Sequence, residues 1–364
     1  MSQEEARAGF LPIVPEGLPQ GWSSRAPDEG DVERIVSLVR AEKLAVVGSD
    51  SVQEDQIVSE AVGEGSWMRR QVLVLDPDGR IRVWARVHDR AAGRANVDLT
   101  ADPELTRECE QQLASVLLTW AEKIALHIAR GRGVGGTRLD VSVHEDDERL
   151  RSMLAPAGYT LARTWLQMTR PVRPSDADLA ERHRREGVVV RQVARREDGT
   201  PVAADLQTVH RMIEESFADH FNSYRESFPE FLARLREAPG HRWDHWWIAD
   251  IEVEGQWVPG GAVAALVLPA DADGVEGTYI DYIGVHRLAR GRGVAKSLLH
   301  TVIADTAARG RNRVSLEVDA DSPTGADAIY ESMGWTTRYR TESWHHDVLV
   351  EGTDLPAPHA RLDD

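Results

Sequence analysis

The sequence predicts an α/β (α+β) fold in which one unit occurs twice in tandem. Three observations carry that expectation. Strand and helix patterns follow the same order in both halves of the chain. The run Gly158-Tyr-Thr-Leu-Ala-Arg-Thr-Trp165 stands in the first half where Gly334-Trp-Thr-Thr-Arg-Tyr-Arg-Thr341 stands in the second. Finally, 364 residues with 41% hydrophobic and 28% charged side chains are long for one soluble domain and comfortable for two.

In the first half, residues 1–20 are punctuated by Pro and Gly and read as an extended arm. Residues 22–26 form a first strand, and Asp31 to Glu42 form a helix with Ile35, Val36, Leu38 and Val39 on its inner face. Strands over 71–75 and 81–87 flank Asp76-Pro77-Asp78-Gly79, a strong hairpin signal. A strand over 95–99 feeds a long helix over 104–128. A strand over 137–143, a short helix over 147–157 and a strand over 159–168 complete the unit.

The second half repeats the order: a strand over 188–193, helices over 201–217 and 228–236, and a hairpin of 246–253 with 262–268. A central strand, turn and helix follow, then a strand over 313–318, a helix over 325–333 and a last strand over 336–345. The Pro-containing, then highly charged run from Arg170 to Glu186 marks the seam. The expected division is therefore an arm (1–20), a first domain (21–170), a linker (171–186), a second domain (187–350) and a disordered tail (351–364).

The chain is organised around Thr278 to Gly310. Thr278-Tyr-Ile-Asp-Tyr-Ile-Gly-Val285 reads as a buried strand, and Arg287 to Ala295 as a tight turn. The helix behind it places Val294, Leu298, Leu299, Val302 and Ile303 on one face. Such a turn at a helix N-terminus is an anion cradle, because free backbone N–H groups and the helix dipole face outward. Gly291 and Gly293 permit close approach, while Arg287, Arg290 and Arg292 supply charge for diphosphate oxygens. The turn lacks the Lys-[ST] ending of a P-loop and the third glycine of a dinucleotide fingerprint. Arg290-Gly291-Arg292-Gly293-Val294-Ala295 instead resembles motif A, [QR]-x-x-G-x-[GA], of the GNAT superfamily of N-acetyltransferases. Val314 to Val318 and then Ala326 to Trp335 resemble its motif B, in the right order and about thirty residues on.

The resemblance implies tandem GNAT folds, each a mixed, mostly antiparallel twisted sheet flanked by helices. It implies acetyl-coenzyme A as acyl donor, no metal, and a primary amine of a small molecule as acceptor. The diphosphate would rest on the amides from Arg290 through Gly291, Arg292, Gly293 and Val294 to Ala295. Pantetheine would pair with Ile283-Gly284-Val285, on a strand that parts from its neighbour and leaves an N–H to polarise the thioester. Tyr330 holds the family's tyrosine position and is assigned as general acid to the sulfur. Asp281 is the candidate base, placed by alternation on the face of Ile283 and Val285, with Glu317 or a water chain as alternatives. Some relatives carry a glutamate where this chain has Tyr279. Ser322 falls where many relatives have a coenzyme-contacting asparagine. Asp219, His220 and Tyr224 are candidates for the acceptor pocket, or for an ordinary helix junction.

Arg130-Gly-Arg-Gly-Val-Gly-Gly136 looks more like a phosphate loop than the true turn, but it follows a helix and precedes a strand. At the equivalent of the true turn the first half has Thr100-Ala-Asp-Pro-Glu104, whose carboxylates repel phosphate. The first domain is therefore expected to be a degenerate copy. The tandem plan is similar to that of the mycothiol synthase type, which acetylates a cysteinyl amine. A non-catalytic coenzyme A-binding sensor or scaffold is the alternative outside enzymology.

The net charge of −17 argues against general affinity for nucleic acid or an anionic membrane. No apolar run reaches the length of a membrane span, and the N-terminus has no signal-peptide core, so a cytoplasmic location is expected. The single cysteine, Cys109, excludes an internal disulfide and a cysteine-based metal cluster. A monomer or a homodimer is expected.

Overall fold

Backbone pairing in the computed structural model, which describes residues 13–49, 52–90, 94–217, 226–321 and 325–350, draws two compact units from the chain. One takes residues up to 162 and from 342 onward; the other takes 163–341.

The second unit is built on strands β6 (Thr160–Pro171, from residue 163), β7 (Val188–Gln192), β8 (His241–Val253), β9 (Gln256–Leu268), β10 (Gly277–Val285) and β11 (Arg313–Asp319). Their order is β6-β11-β10-β9-β8-β7, antiparallel throughout except for β10 on β11. Alternation along β8 sends Trp246 and Ile248 to one face and Trp247, Ala249 and Ile251 to the other. The first face packs on α6 (Ala203–Phe217) and α7 (Phe228–Arg236) through Val209, Ile213 and Phe231. The second packs on α8 (Val294–Ala308) and α9 (Ala326–Ser332) through Leu298, Leu299, Val302 and Tyr330.

The first unit follows the same plan. Strands β1 (Ser23–Arg25), β2 (Arg69–Leu75), β3 (Ile81–Asp89), β4 (Arg94–Ala101) and β5 (Gly136–His144) lie in chain order, followed by residues 342–349 of β12 (Thr336–Leu349). Helices α1 (Val32–Val47) and α2 (Glu54–Ala61) cover one face, with α3 (Arg107–Arg132) and α4 (Glu148–Leu154) on the other.

Three expectations about domain limits change. The end of the chain belongs to the first unit: Val348 joins its core, and Arg138 makes a two-pronged bond to Asp347 at 2.7 and 2.8 Å. The end of the first half belongs to the second unit, because β6 from Trp165 to Pro171 is hydrogen-bonded along the whole of β11. The expected linker is folded as well, with Val172 and Leu179, at the start of α5 (Leu179–Arg182), buried in the α8 core. Of the expected arm, residues 13–20 are described, and Trp120 of α3 donates its indole N–H to the Ile13 carbonyl at 2.8 Å. The tail beyond 350 lies outside the described residues. Helix α2 was not expected; it has eight residues and no side-chain N-cap.

Among the described residues each unit has a parallel pair, and each pair parts early. β10 meets β11 only over Thr278–Ile280 and Val314–Leu316, although both strands continue. β4 meets β5 only over Arg94–Asn96 and Arg138–Asp140. In the first unit Glu42 of α1 reaches the parted strand and accepts the Ala101 N–H at 2.7 Å. Its carboxyl is pushed up to about 8, first by burial and then by the charge of Asp147, against the pull of that N–H and of Arg86. In the second unit α6 lies so close to β10 that a Cβ on Gly284 would overlap Ser216 Oγ and come within 3.2 Å of the Ile213 Cα.

Two predictions follow from these contacts. Gly284→Ala should destabilise by about 1–3 kcal/mol through overpacking, read as a lower denaturation midpoint; an unchanged midpoint contradicts the close approach. A carboxyl raised on folding adds stability that is complete below its ordinary 4.5 and is lost as pH rises through about 8. Glu42→Gln keeps an acceptor for Ala101 but cannot ionise. Its melting midpoint should gain on wild type between pH 5 and 8, by roughly 2–4 °C per kcal/mol of ionisation cost. A pH-independent difference would contradict the assignment.

Candidate active site

The turn between β10 and α8 is built by glycines. Residues 287–289 make a 3-10 turn, Arg290 is extended, and Gly291 and Gly293 take φ of 76° and 83°, where a side chain would be strained. A Cβ on Gly291 would meet nothing within 4 Å, so the outer side of the turn is open. The first helical bond runs from the Ser297 N–H to the Gly293 carbonyl at 3.0 Å, and no side chain caps α8. The amides of Val294, Ala295 and Lys296 therefore have no acceptor within the helix. Within the turn, the Arg290 and Arg292 amides make long bonds to the Arg287 and Ala289 carbonyls, 3.3 and 3.4 Å. Arg287, Arg290 and Arg292 are exposed around them, with Arg292 anchored to the Glu252 carbonyl at 2.8 Å. Open space, unspent N–H groups and three cations fit a diphosphate.

Beside the turn lies the slot between the parted β10 and β11. Antiparallel pairing uses every second amide of a strand. Counted back from the His286 N–H, which bonds the Gly260 carbonyl at 3.0 Å, Gly284 points to β9, while the Ile283 and Val285 amides point into the slot. Gly284 itself serves the packing of α6. Tyr330 of α9 stands on the α8 side, 8% exposed, its ring 5.7 Å from that of Trp335. Burial pushes its phenol up to about 12.

The opposite side of the slot carries carboxylates. A β-bulge between Ile280 and Tyr282 shifts the register of β10 against β9. Alternation predicts Asp281 on the face of Ile283 and Val285, but the bulge turns it the other way. Ile283 and Val285 pack with the α8 core, whereas Asp281 lies 3.9 Å from Arg234 of α7, which itself stacks over Tyr282 at 4.9 Å. Glu317 of β11 accepts from the Gln167 amide at 2.9 Å. Its carboxyl is raised by burial and by the Asp281 charge, against that hydrogen bond. Arg234 is buried, which works against its charge, yet Tyr282, Glu226 and Asp281 hold it firmly protonated. Asp281 is thus the carboxylate with a cation beside it, and Glu317 is the one whose carboxyl is raised.

Asp219, His220, Tyr224 and Ser322 lie outside the described residues. Among the described residues no cluster of His, Cys, Asp and Glu is arranged to hold a metal, and no helix is long and apolar enough to cross a membrane. Sequence reasoning did not find Arg185, whose side chain lies 3.3 Å from where a Gly293 Cβ would be. Its only signal was the density of charge before β7.

At the equivalent positions the first unit has spent its groups on itself. Thr106 caps α3 by accepting the Cys109 N–H, and Asp102 accepts the Glu104 N–H at 2.9 Å. The N–H of Tyr159 bonds the Leu154 carbonyl as that of Trp335 bonds the Tyr330 carbonyl, both at 3.1 Å. Leu154 therefore stands where Tyr330 stands, with no proton to give. The glycine run at 130–136 closes the C-terminal end of α3, with Gly133 at φ 68°.

Residues 209–335 match the acetyltransferase (GNAT) family. The chain is 27% identical over 329 residues to mycothiol acetyltransferase of Streptomyces bingchenggensis (strain BCW-1), covering 86% of this chain and 92% of that one. The fold is similar to a GCN5-related N-acetyltransferase from Sphaerobacter thermophilus, with a TM-score of 0.68 at 22% identity, over 94% of this chain and 100% of that one. A tandem GNAT protein from the clavulanic acid biosynthesis pathway aligns with a TM-score of 0.57 at 13% identity, over 90% and 98%. Residues 209–335, which carry the glycine turn, thus match the GNAT acetyltransferase family, and the chain as a whole, with its repeated unit, is similar in plan to mycothiol acetyltransferase.

Proposed function

We propose that the second unit moves an acetyl group directly from acetyl-coenzyme A to a primary amine of a small molecule. The observation that carries this reading is the slot itself: an uncapped helix N-terminus and Tyr330 on one face, two carboxylates on the other, and parted strands between. The amides from Gly291 to Ala295 would hold the donor's diphosphate, and the edge of β10 would pair with its pantetheine. Bound there, the donor supplies an activated thioester carbonyl.

An ammonium has no lone pair, so the acceptor must first lose a proton, and the Glu317 carboxylate takes it. The amine nitrogen then bonds the carbonyl carbon. An N–H of the slot, from Ile283 or Val285, stabilises the charge that gathers on the carbonyl oxygen. When the C–S bond breaks, its electron pair leaves on sulfur, which takes the Tyr330 proton; the second proton of the nitrogen, surplus once the amide forms, leaves it and restores the phenol by way of solvent. A phenol near 12 stays protonated at any working pH. The desolvation that raises it also penalises the departing thiolate, so donor and acceptor shift together.

Similarity to mycothiol acetyltransferase over 92% of that protein supports a narrower acceptor, the cysteinyl amine of a pseudodisaccharide.

Free-thiol release should be followed with acetyl-coenzyme A against polyamines, aminoglycosides, amino acids and cysteinyl pseudodisaccharides. Tyr330→Phe should lower turnover of the accepted amine by about 10²–10⁴-fold and leave coenzyme A affinity within a few-fold. A chain that binds coenzyme A but releases no thiol with any amine is a sensor, and the proposal fails.

The acid limb of kcat/KM should report Glu317. Asp281→Asn removes a like charge, so the limb should move to lower pH, whereas Glu317→Gln should abolish it. A limb unmoved in both variants places the base elsewhere.

A further inference from the structure

A cavity of about 530 Å³ opens in the second unit between α5, α8 and the end of α9, walled on its outer side by residues 182–185. Its lining is cationic. Two of the charges are already balanced: Arg170 by Asp176 at 2.9 Å and Arg182 by Asp178 at 2.8 Å. Among the described residues Arg184, Arg185 and Lys296 have no acidic partner. His183 and His300 stack at 4.4 Å, and His300 Nδ1 is buried without a hydrogen-bond partner. Burial, and then repulsion from His183, Arg170, Lys296 and Arg185, hold the His300 imidazole down at about 4.

Such a cluster costs stability as it stands. Lys296 sits in the first turn of α8, where the helix dipole already disfavours a cation. Arg185 adds a second charge over Gly293, at the edge of the diphosphate turn. The cavity therefore begins where that turn ends, and an anion would relieve the repulsion in both. A phosphate monoester fits best, since near neutral pH it approaches two negative charges and offers three acceptor oxygens to two guanidiniums and an ammonium.

We propose that this cavity is a phosphate-monoester site that takes the ribose 3′-phosphate of the coenzyme A donor, gripped by Arg184, Arg185 and Lys296. The assignment rests on reading the α8 turn as the diphosphate site. It gives the segment between the halves a task in donor selection, contributed from outside the glycine turn.

Calorimetry on the full chain with coenzyme A, dephospho-coenzyme A and inorganic phosphate tests it, with an Arg184→Ala, Lys296→Ala double variant that leaves the glycine turn intact. Melting in phosphate-free buffer checks that the variant is folded. Wild type should bind coenzyme A at least about tenfold more tightly than dephospho-coenzyme A. The variant should lose that margin and bind dephospho-coenzyme A as wild type does. Equal affinity of wild type for the two coenzymes overturns the assignment to the donor. Phosphate binding that the variant loses would then give the site to a free phosphate ester; phosphate binding unchanged in the variant removes the site altogether. If wild type binds neither coenzyme, the reading of the turn has failed, and the phosphate arm alone decides this one.

Discussion

Three rungs of parallel ladder, Thr278–Ile280 against Val314–Leu316, fasten β10 to β11, and beyond them the strands diverge. Backbone groups on the inner edges of a parted pair need other partners, because an unpaired buried amide carries a cost of its own. In the second unit the sheet withholds those partners. Ile283 and Val285 point their amides into the slot, and the next elements along the chain are the glycine turn and an uncapped helix. The same break in pairing thus opens the slot and delivers the cradle beside it. It also lets the two faces of the sheet communicate at one place, with the turn and Tyr330 on the α8 side and Asp281 and Glu317 on the other.

The first unit makes the contrast within one molecule. It keeps the parted pair but fills it with its own groups: Glu42 on the Ala101 amide, Thr106 on the α3 N-terminus, and Leu154 where the phenol stands in the second unit. Each of these is a change of a few atoms on an unchanged backbone plan. Groups that stand open in the second unit are thus satisfied internally in the first.

Much of this was legible from the residues, and what was not has identifiable causes. Hairpins announced by Asp-Pro-Asp-Gly, the glycine turn and the order of elements are local signals, and they sit in the structure within a few residues of expectation. The division into units was not legible, since whether β6 pairs with β11, or the end of β12 with the first unit, depends on partners more than a hundred residues away. The face of Asp281 was missed because strict alternation fails at a bulge, and nothing in Ile-Asp-Tyr marks one. Gly284 was expected on the strand edge that pairs with pantetheine, and nothing in its sequence context marks it as the place where α6 approaches β10. Arg184 and Arg185 were visible only as part of a charged run; their place beside the turn comes from the folding of α5 onto α8.

The account stands or falls on where the donor lies. A crystal of the full chain soaked with acetyl-coenzyme A decides it. The diphosphate should appear within hydrogen-bond distance of the amides from Gly291 to Ala295, the thioester carbonyl should lie in the slot between β10 and β11, and residues 102–106 should be bare. Donor density against the first unit, or none in the second at saturating concentration, would contradict it.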